Sequence, residues 1–339
     1  MEPARPAAPA PLIDGIGRRI SYLRLSVTDR CDLRCRYCMS EKMSFLPRSA
    51  ILSLEEMAAI ADRFVARGIR RIRLTGGEPL VRRGFEGLAS AIGRHVESGG
   101  LDELTITTNG TRLPEMAGAL RDAGIRRINV SLDSRDPETF KFITRWGDVD
   151  KVLAGIAAAK AAGLAVKINM VALKGLNEDE IAPMLRWCGS EGFDLTLIET
   201  MPLGHIDEDR TDRFLPLTAV HERLVQQFTL TPLDFSTGGP ARYSRVAPWG
   251  TKLGMISPLT RNFCEGCNRV RLTASGQLYM CLGHEDKVDL RDALRNGGMD
   301  AVDVAIDHAL RHKPARHDFR IETRDAAPAV QRHMSVTGG

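Results

Sequence analysis

Hydrophobic positions recur with two different periods along this chain, and the place where the pattern changes divides it. Over residues 53–67, Leu54, Met57, Ala61 and Phe64 fall on one helical face. Ser53 and Glu56 stand at capping-box spacing, and Gly68 suits the left-handed position that ends a helix. Helical stretches of this kind precede "GIRRIRLTGG" (68–77), "GIRRINVSLD" (124–133), "GLAVKINMVA" (163–172) and "GFDLTLIETM" (192–201). Each phrase opens on Gly, runs through Ile, Val and Leu, and ends in small or polar residues. With further strands expected at 20–27 and 103–110, the pattern gives about six β–α units and a parallel sheet. It predicts an α/β fold built as an incomplete (β/α)6 barrel, with a doubly wound open sheet as the alternative.

After about residue 210 the period shortens. "YSRVAP", "KLGMISP", "RVRLTA" and "QLYMCL" read as short strands separated by Gly and Pro, "TASGQ" as a turn, and two helical patterns follow near 289–312. This β-containing C-terminal extension is expected to cover the open side of the barrel. The expected organisation is a disordered tail over 1–14, the barrel over 15–210, the extension over 211–325, and a C-terminal tail over 326–339.

Composition narrows the function. The 339 residues are 43% hydrophobic and 27% charged, with no apolar run long enough to span a bilayer. A net charge of +4 argues against wholesale coating of nucleic acid and leaves room for a local basic pocket. The start, "MEPARPAAPAPL", lacks the apolar core of a secretory signal. A cytoplasmic location follows as an expectation, with no stable nucleic-acid or membrane partner. Disulfides are then improbable, so seven cysteines point to metal or catalysis.

Marked residues stand at the expected strand ends, where barrels and open α/β sheets gather their ligands. The first strand leads into "DRCDLRCRYC", which packs Cys31, Cys35 and Cys38 into eight residues. A structural zinc takes four ligands, so these three would need a distant fourth. Three cysteines can instead hold an iron–sulfur cube and leave one iron open. The spacing C-x3-C-x-aromatic-C, with Tyr37 before Cys38, resembles the signature of the radical S-adenosylmethionine (SAM) superfamily. "GGEP" (76–79) resembles that superfamily's second motif, in which strand-edge backbone holds the SAM amino group. The resemblance implies a partial TIM-like barrel and SAM as cofactor.

Cys264, Cys267 and Cys281 form a second triplet, C-x2-C-x13-C, with His284 three residues beyond. A Cys3His zinc site is chemically reasonable there. "FCEGCNRVRLTASGQLYMCL" (263–282) also resembles the C-terminal signature of the MoaA family of GTP 3′,8-cyclases, a likeness extending from "RLSVTDRC" to the final Gly-Gly. Arg269 and Arg271, two apart on one strand, share a face beside the triplet, where a guanidinium fork suits phosphate.

Membership of that family would imply two [4Fe-4S] clusters, one per triplet. Tyr37, Gly76, Gly77, Glu78, Ser131 and Met201 would then contact SAM, and Arg24, Arg73, Thr107, Lys167, Arg269 and Arg271 would contact GTP. It also implies a 5′-deoxyadenosyl radical that takes the C3′ hydrogen of GTP, after which C3′ adds to C8. An electron donor, a homodimer and a downstream cyclic pyranopterin monophosphate synthase belong to the same picture. Paired glycines close chains of this family, so Gly338 and Gly339 are expected at the barrel mouth. One departure is Thr196, in "TLIE" where many relatives have an "RFIE"-like run. Cys188, on a predicted helix, reads as a buried structural thiol.

Overall fold

The computed structural model describes residues 10–321, 323–324 and 326–338. Strands β1 (Tyr22–Ser26), β2 (Arg71–Thr75), β3 (Glu103–Thr108), β4 (Arg127–Ser131), β5 (Ala165–Val171) and β6 (Asp194–Ile198) pair in parallel in that order. Helices α1 (Leu54–Ala66), α2 (Phe85–Glu97), α3 (Leu113–Asp122), α4 (Pro137–Thr144), α5 (Val149–Ala161) and α6 (Ile181–Glu191) make the crossovers. Two short helices follow, α7 (Arg210–Arg213) and α8 (Leu217–Val225). Then come β7 (Leu230–Leu233), β8 (Arg242–Val246), β9 (Thr251–Ile256), β10 (Arg269–Leu272), β11 (Gln277–Tyr279) and β12 (Lys287–Asp289). The chain ends in α9 (Leu290–Arg311), kinked at Gly298, and α10 (Met334–Thr337).

All twelve strands form one open, curled sheet in the order β12-β11-β10-β1-β2-β3-β4-β5-β6-β9-β8-β7. The six parallel strands expected from the repeat are present. The extension does more than cover them, because β10 joins β1 and β9 joins β6, both in parallel. The parallel run is therefore two strands longer than the local pattern predicts. It ends on antiparallel ribbons, and Pro232 sits in the outermost strand β7, where a missing backbone donor is tolerated.

Alternation along the strands assigns the two faces. Leu23, Leu25, Ile72, Leu74, Leu104, Ile106, Ile128 and Val130 are buried against the helices. The intervening positions, Arg24, Arg73, Thr105, Asn129, Lys167 and Thr196, are polar and buried as well, and they line the concave side. Burying polar side chains costs stability unless they are paired or meet a ligand, which makes this face the candidate site.

The helical expectation at 53–67 is met in detail. Ser53 caps α1 in a reciprocal box with Glu56, Met57, Ala61 and Phe64 are buried, and Gly68 has φ +96°. Ser53→Ala is expected to lower stability by about 1 kcal/mol in a denaturant titration, with no loss of site chemistry. Cys188 is fully buried on α6, as a structural thiol.

One expectation about the ends is corrected. Residues 1–9 lie outside the described residues, but 10–14 are not a disordered tail: Leu12 is buried, Ile13 bridges to Arg19, and Asp14 pairs with Arg18 at 2.6 Å. The C-terminal stretch packs against the body of the fold. Val330 bridges Leu203, and Ser335 and Thr337 of α10 are buried beside β1. Among the described residues, no helix is long and apolar enough to cross a membrane.

Candidate active site

The loop after β1 carries the first triplet. Trp146 Nε1 donates to Asp32 O at 2.8 Å, while Asn109 Nδ2 and Thr111 Oγ1 hold the Asp32 carboxylate at 2.6 and 2.7 Å. The three thiols lie within electrostatic reach of one another. Burial raises all of them, Cys38 to about 12, and the Asp133 carboxylate adds to the effect at Cys35. A strongly cationic group would have to displace these protons on binding. Tyr37 stays close to the thiol loop, its hydroxyl within reach of Cys35, and donates to Asp133 Oδ2 at 2.7 Å, while Asp133 Oδ1 accepts from Val171 N at 2.8 Å. Asp133, raised to about 6 by burial, ties the loop to the ends of β4 and β5.

"GGEP" abuts this loop closely. A Cβ on Gly76 would lie 2.4 Å from Thr28 O, and one on Gly77 would lie 2.3 Å from Arg30 O. Only glycines allow that approach. The amides of Gly77 and Glu78 donate to Thr28 O and Arg30 O at 2.8 Å each, so carbonyl oxygens are what this stretch has left for an ammonium group. The Glu78 carboxylate is buried and accepts from Leu80 N, Thr108 Oγ1 and Asn109 N, which positions the end of β3; burial raises it to about 7. Ser131 ends β4, and Met201 packs beside Leu203, Phe319 and Val330 beyond β6.

The cations expected from sequence meet on the concave face. Arg24 is in register with Arg271 on one side and Arg73 on the other, so three guanidinium groups form a rung across β10, β1 and β2. Arg271 Nη1 donates to Gly338 O at 2.9 Å, and Arg73 lies 5.7 Å from the Tyr22 ring centre. Lys167 Nζ donates to Tyr243 Oη at 3.1 Å. Arg73 Nε and Thr107 Oγ1 are buried without a hydrogen-bond partner. Burial, then the charge of Arg269, depresses Arg271 to about 9; burial, then Arg271 and Arg73, lowers Arg24. This concentration of cations favours an anionic ligand of high charge.

The second triplet adjoins β10. Its backbone turns tightly, with Cys267 N donating to Cys264 O at 3.1 Å, and Arg18 Nη1 also donates to that oxygen at 2.9 Å. Burial pushes the Cys267 thiol up, but Arg269 and Lys313 outweigh it and bring it to about 7. Lys313 Nζ, buried, lies 3.7 Å from Cys267 Sγ and donates to Arg269 O at 3.0 Å. Nothing in the local sequence marks Lys313 out from the cations around it. His284 turns instead to Arg316 O, 3.0 Å from Nε2.

Among the described residues, no three His, Cys, Asp or Glu side chains converge closely enough to hold a single ion. A lone zinc would draw its sulfurs to about 3.8 Å apart, given Zn–S bonds of about 2.3 Å. Each triplet instead supplies three free thiols, the donor set of an iron–sulfur cube that leaves one iron open. Beside the second one opens a cavity of about 540 Å³, lined by Gly238, Gly239, Asn262, Phe263, Cys264 and Arg269.

A curled parallel sheet with a thiol loop after its first strand defines a class, and residues 25–188 match the Radical SAM superfamily. Residues 193–319 match Molybdenum Cofactor Synthesis C. The chain is 58% identical to GTP 3′,8-cyclase of Rhodopseudomonas palustris (strain TIE-1), over 97% of this chain and 96% of that one. It is 60% identical to the enzyme of the same name from Erythrobacter litoralis, over 98% and 100%. The chain belongs to the GTP 3′,8-cyclase family. Among solved structures, SuiB of Streptococcus suis bound to S-adenosylmethionine shares the fold at TM-score 0.63 and 14% identity, over 86% of this chain and 68% of that one.

Proposed function

We propose that the polar interior is a GTP site between two iron–sulfur clusters, one held by Cys31, Cys35 and Cys38 and the other by Cys264, Cys267 and Cys281. The protein is a radical SAM GTP 3′,8-cyclase that catalyses the first step of molybdenum cofactor biosynthesis, converting GTP to (8S)-3′,8-cyclo-7,8-dihydroguanosine 5′-triphosphate. SAM and an iron–sulfur cluster are its cofactors. Cys31, Cys35 and Cys38 would hold a cluster able to pass one electron to bound SAM, which would split into methionine and a 5′-deoxyadenosyl radical.

The protein's part is to bind, orient and enclose. Carbonyl oxygens at Gly76 and Gly77 accept from the SAM ammonium, and Tyr37, Ser131 and Met201 complete that end. Arg24, Arg73, Lys167, Arg269 and Arg271 take the triphosphate, Thr107 offers a hydroxyl, and the cavity at Cys264 has room for the base. The buried guanidinium rung carries this reading, because its cations lower one another's proton affinity in a desolvated interior and a polyanion would relieve that. The chemistry needs an external one-electron donor. A homodimer, and handover of the product to cyclic pyranopterin monophosphate synthase, complete the proposal.

Arg269→Ala or Arg271→Ala is expected to weaken GTP binding by about 1.5–3 kcal/mol at unchanged iron content, the range for hydrogen bonds to charged groups. Titration calorimetry on anaerobic protein measures this. Wild-type affinity in both variants would remove the triphosphate role.

A further inference from the structure

The arginine rung occupies one flank of the concave face. On the other flank, across β5, β6 and β9, the inward positions are Lys167, Thr196 and Gly254. Gly254 is in register with Thr196 and pairs with Tyr243 on the antiparallel β8. A Cβ on Gly254 would lie 2.8 Å from Tyr243 Cε1 and 3.0 Å from Thr196 Oγ1. The missing side chain is what lets the Tyr243 ring lie across β9 and enter the interior.

Tyr243 is 4% exposed, and its hydroxyl lies 3.1 Å from Lys167 Nζ. An ammonium group only donates, so Tyr243 Oη accepts that bond and keeps its own proton to give. Its other neighbour, Thr237 Oγ1, is 3.4 Å away, at the outer limit for such a bond. Thr196 Oγ1 is buried without a partner. Burial raises the Tyr243 phenol, and Arg127 and Arg73 are close enough to act on it, so it stands as a protonated donor within the cation field. The neighbouring carboxylates are already engaged: Asp194 by Lys252 at 3.1 Å, and Glu103 by Arg127 at 2.6 Å. This flank therefore presents donors to an acceptor-rich ligand.

We propose that the hydroxyls of Tyr243 and Thr196, beside Lys167, form a second phosphate-holding flank of the GTP site, with Tyr243 reaching it from β8 across Gly254. The proposal rests on the GTP reading above.

Tyr243→Phe keeps the ring over Gly254 and removes one donor; Thr196→Val removes the other at nearly constant shape. Binding of GTP and of guanosine is measured on cluster-reconstituted protein, with iron content as a control. Each variant should weaken GTP about 10-fold, the double variant more, while guanosine binding stays within about two-fold. Unchanged GTP affinity in both variants overturns the proposal. So does an equal loss for GTP and guanosine, which would mean a packing role. If Tyr243→Phe fails to take up iron, Thr196→Val alone decides by the same criteria. Wild-type protein that binds GTP no better than guanosine would instead sink the GTP reading itself.

Discussion

Replacing Cys264, Cys267 and Cys281 together by Ala should halve the iron, from roughly eight atoms per chain to about four after anaerobic reconstitution. Cyclisation should be abolished while some SAM cleavage survives, because the first triplet sits on a different loop, after the end of β1, whereas Cys264 and Cys267 precede its parallel neighbour β10. The loops themselves should survive the substitution. Their positions rest on backbone contacts that alanine keeps: Cys267 N to Cys264 O at 3.1 Å, Arg18 to Cys264 O at 2.9 Å, and Arg332 Nη2 to Cys281 O at 3.2 Å. Iron analysis and the yields of 5′-deoxyadenosine and cyclised nucleotide check the three outcomes separately. A triple variant with its full iron complement would mean that the late cysteines hold no cluster.

What was legible in the sequence is what local chemistry determines. The α1 capping box, the strand-end motifs and both triplets follow from spacing within ten or twenty residues. The inward cations could also be read, because period-two alternation puts Arg24 and Arg73 on the face opposite Leu23 and Ile72. Long-range pairing could not be read. Nothing around Leu253 or Val270 says that these strands add in parallel to β6 and β1, so the extension looked like a cover rather than part of the sheet. The same limit hid Tyr243, whose reach depends on Gly254 in a neighbouring strand, and Lys313, whose placement depends on the end of α9 meeting β10. At the N-terminus, composition misled, since Leu12 is buried by distant segments.

Removal of the last two residues should leave folding, iron content and GTP affinity near wild type, yet reduce GTP-dependent formation of 5′-deoxyadenosine by on the order of 100-fold, the scale of a small misplacement at a reacting centre. Gly339 lies outside the described residues, so the physical case rests on Gly338. That residue follows α10, is buried, and has φ +73°. Its carbonyl accepts from Arg271 Nη1 at 2.9 Å, which links the chain end to the guanidinium rung. A Cβ there would lie 2.2 Å from Thr75 Cγ2, at the inner end of β2 beside Gly76. Position 338 therefore demands glycine twice, for conformation and for space. Truncation frees Arg271 rather than removing it, which is why substrate affinity should hold while the geometry between the two cofactor ends relaxes. Gly338→Ala should displace the tail and reproduce the phenotype with the chain only substituted. Normal cyclisation by the truncated enzyme would show that the ordered tail is packing alone, and a matching loss of GTP binding would place it among the substrate contacts instead.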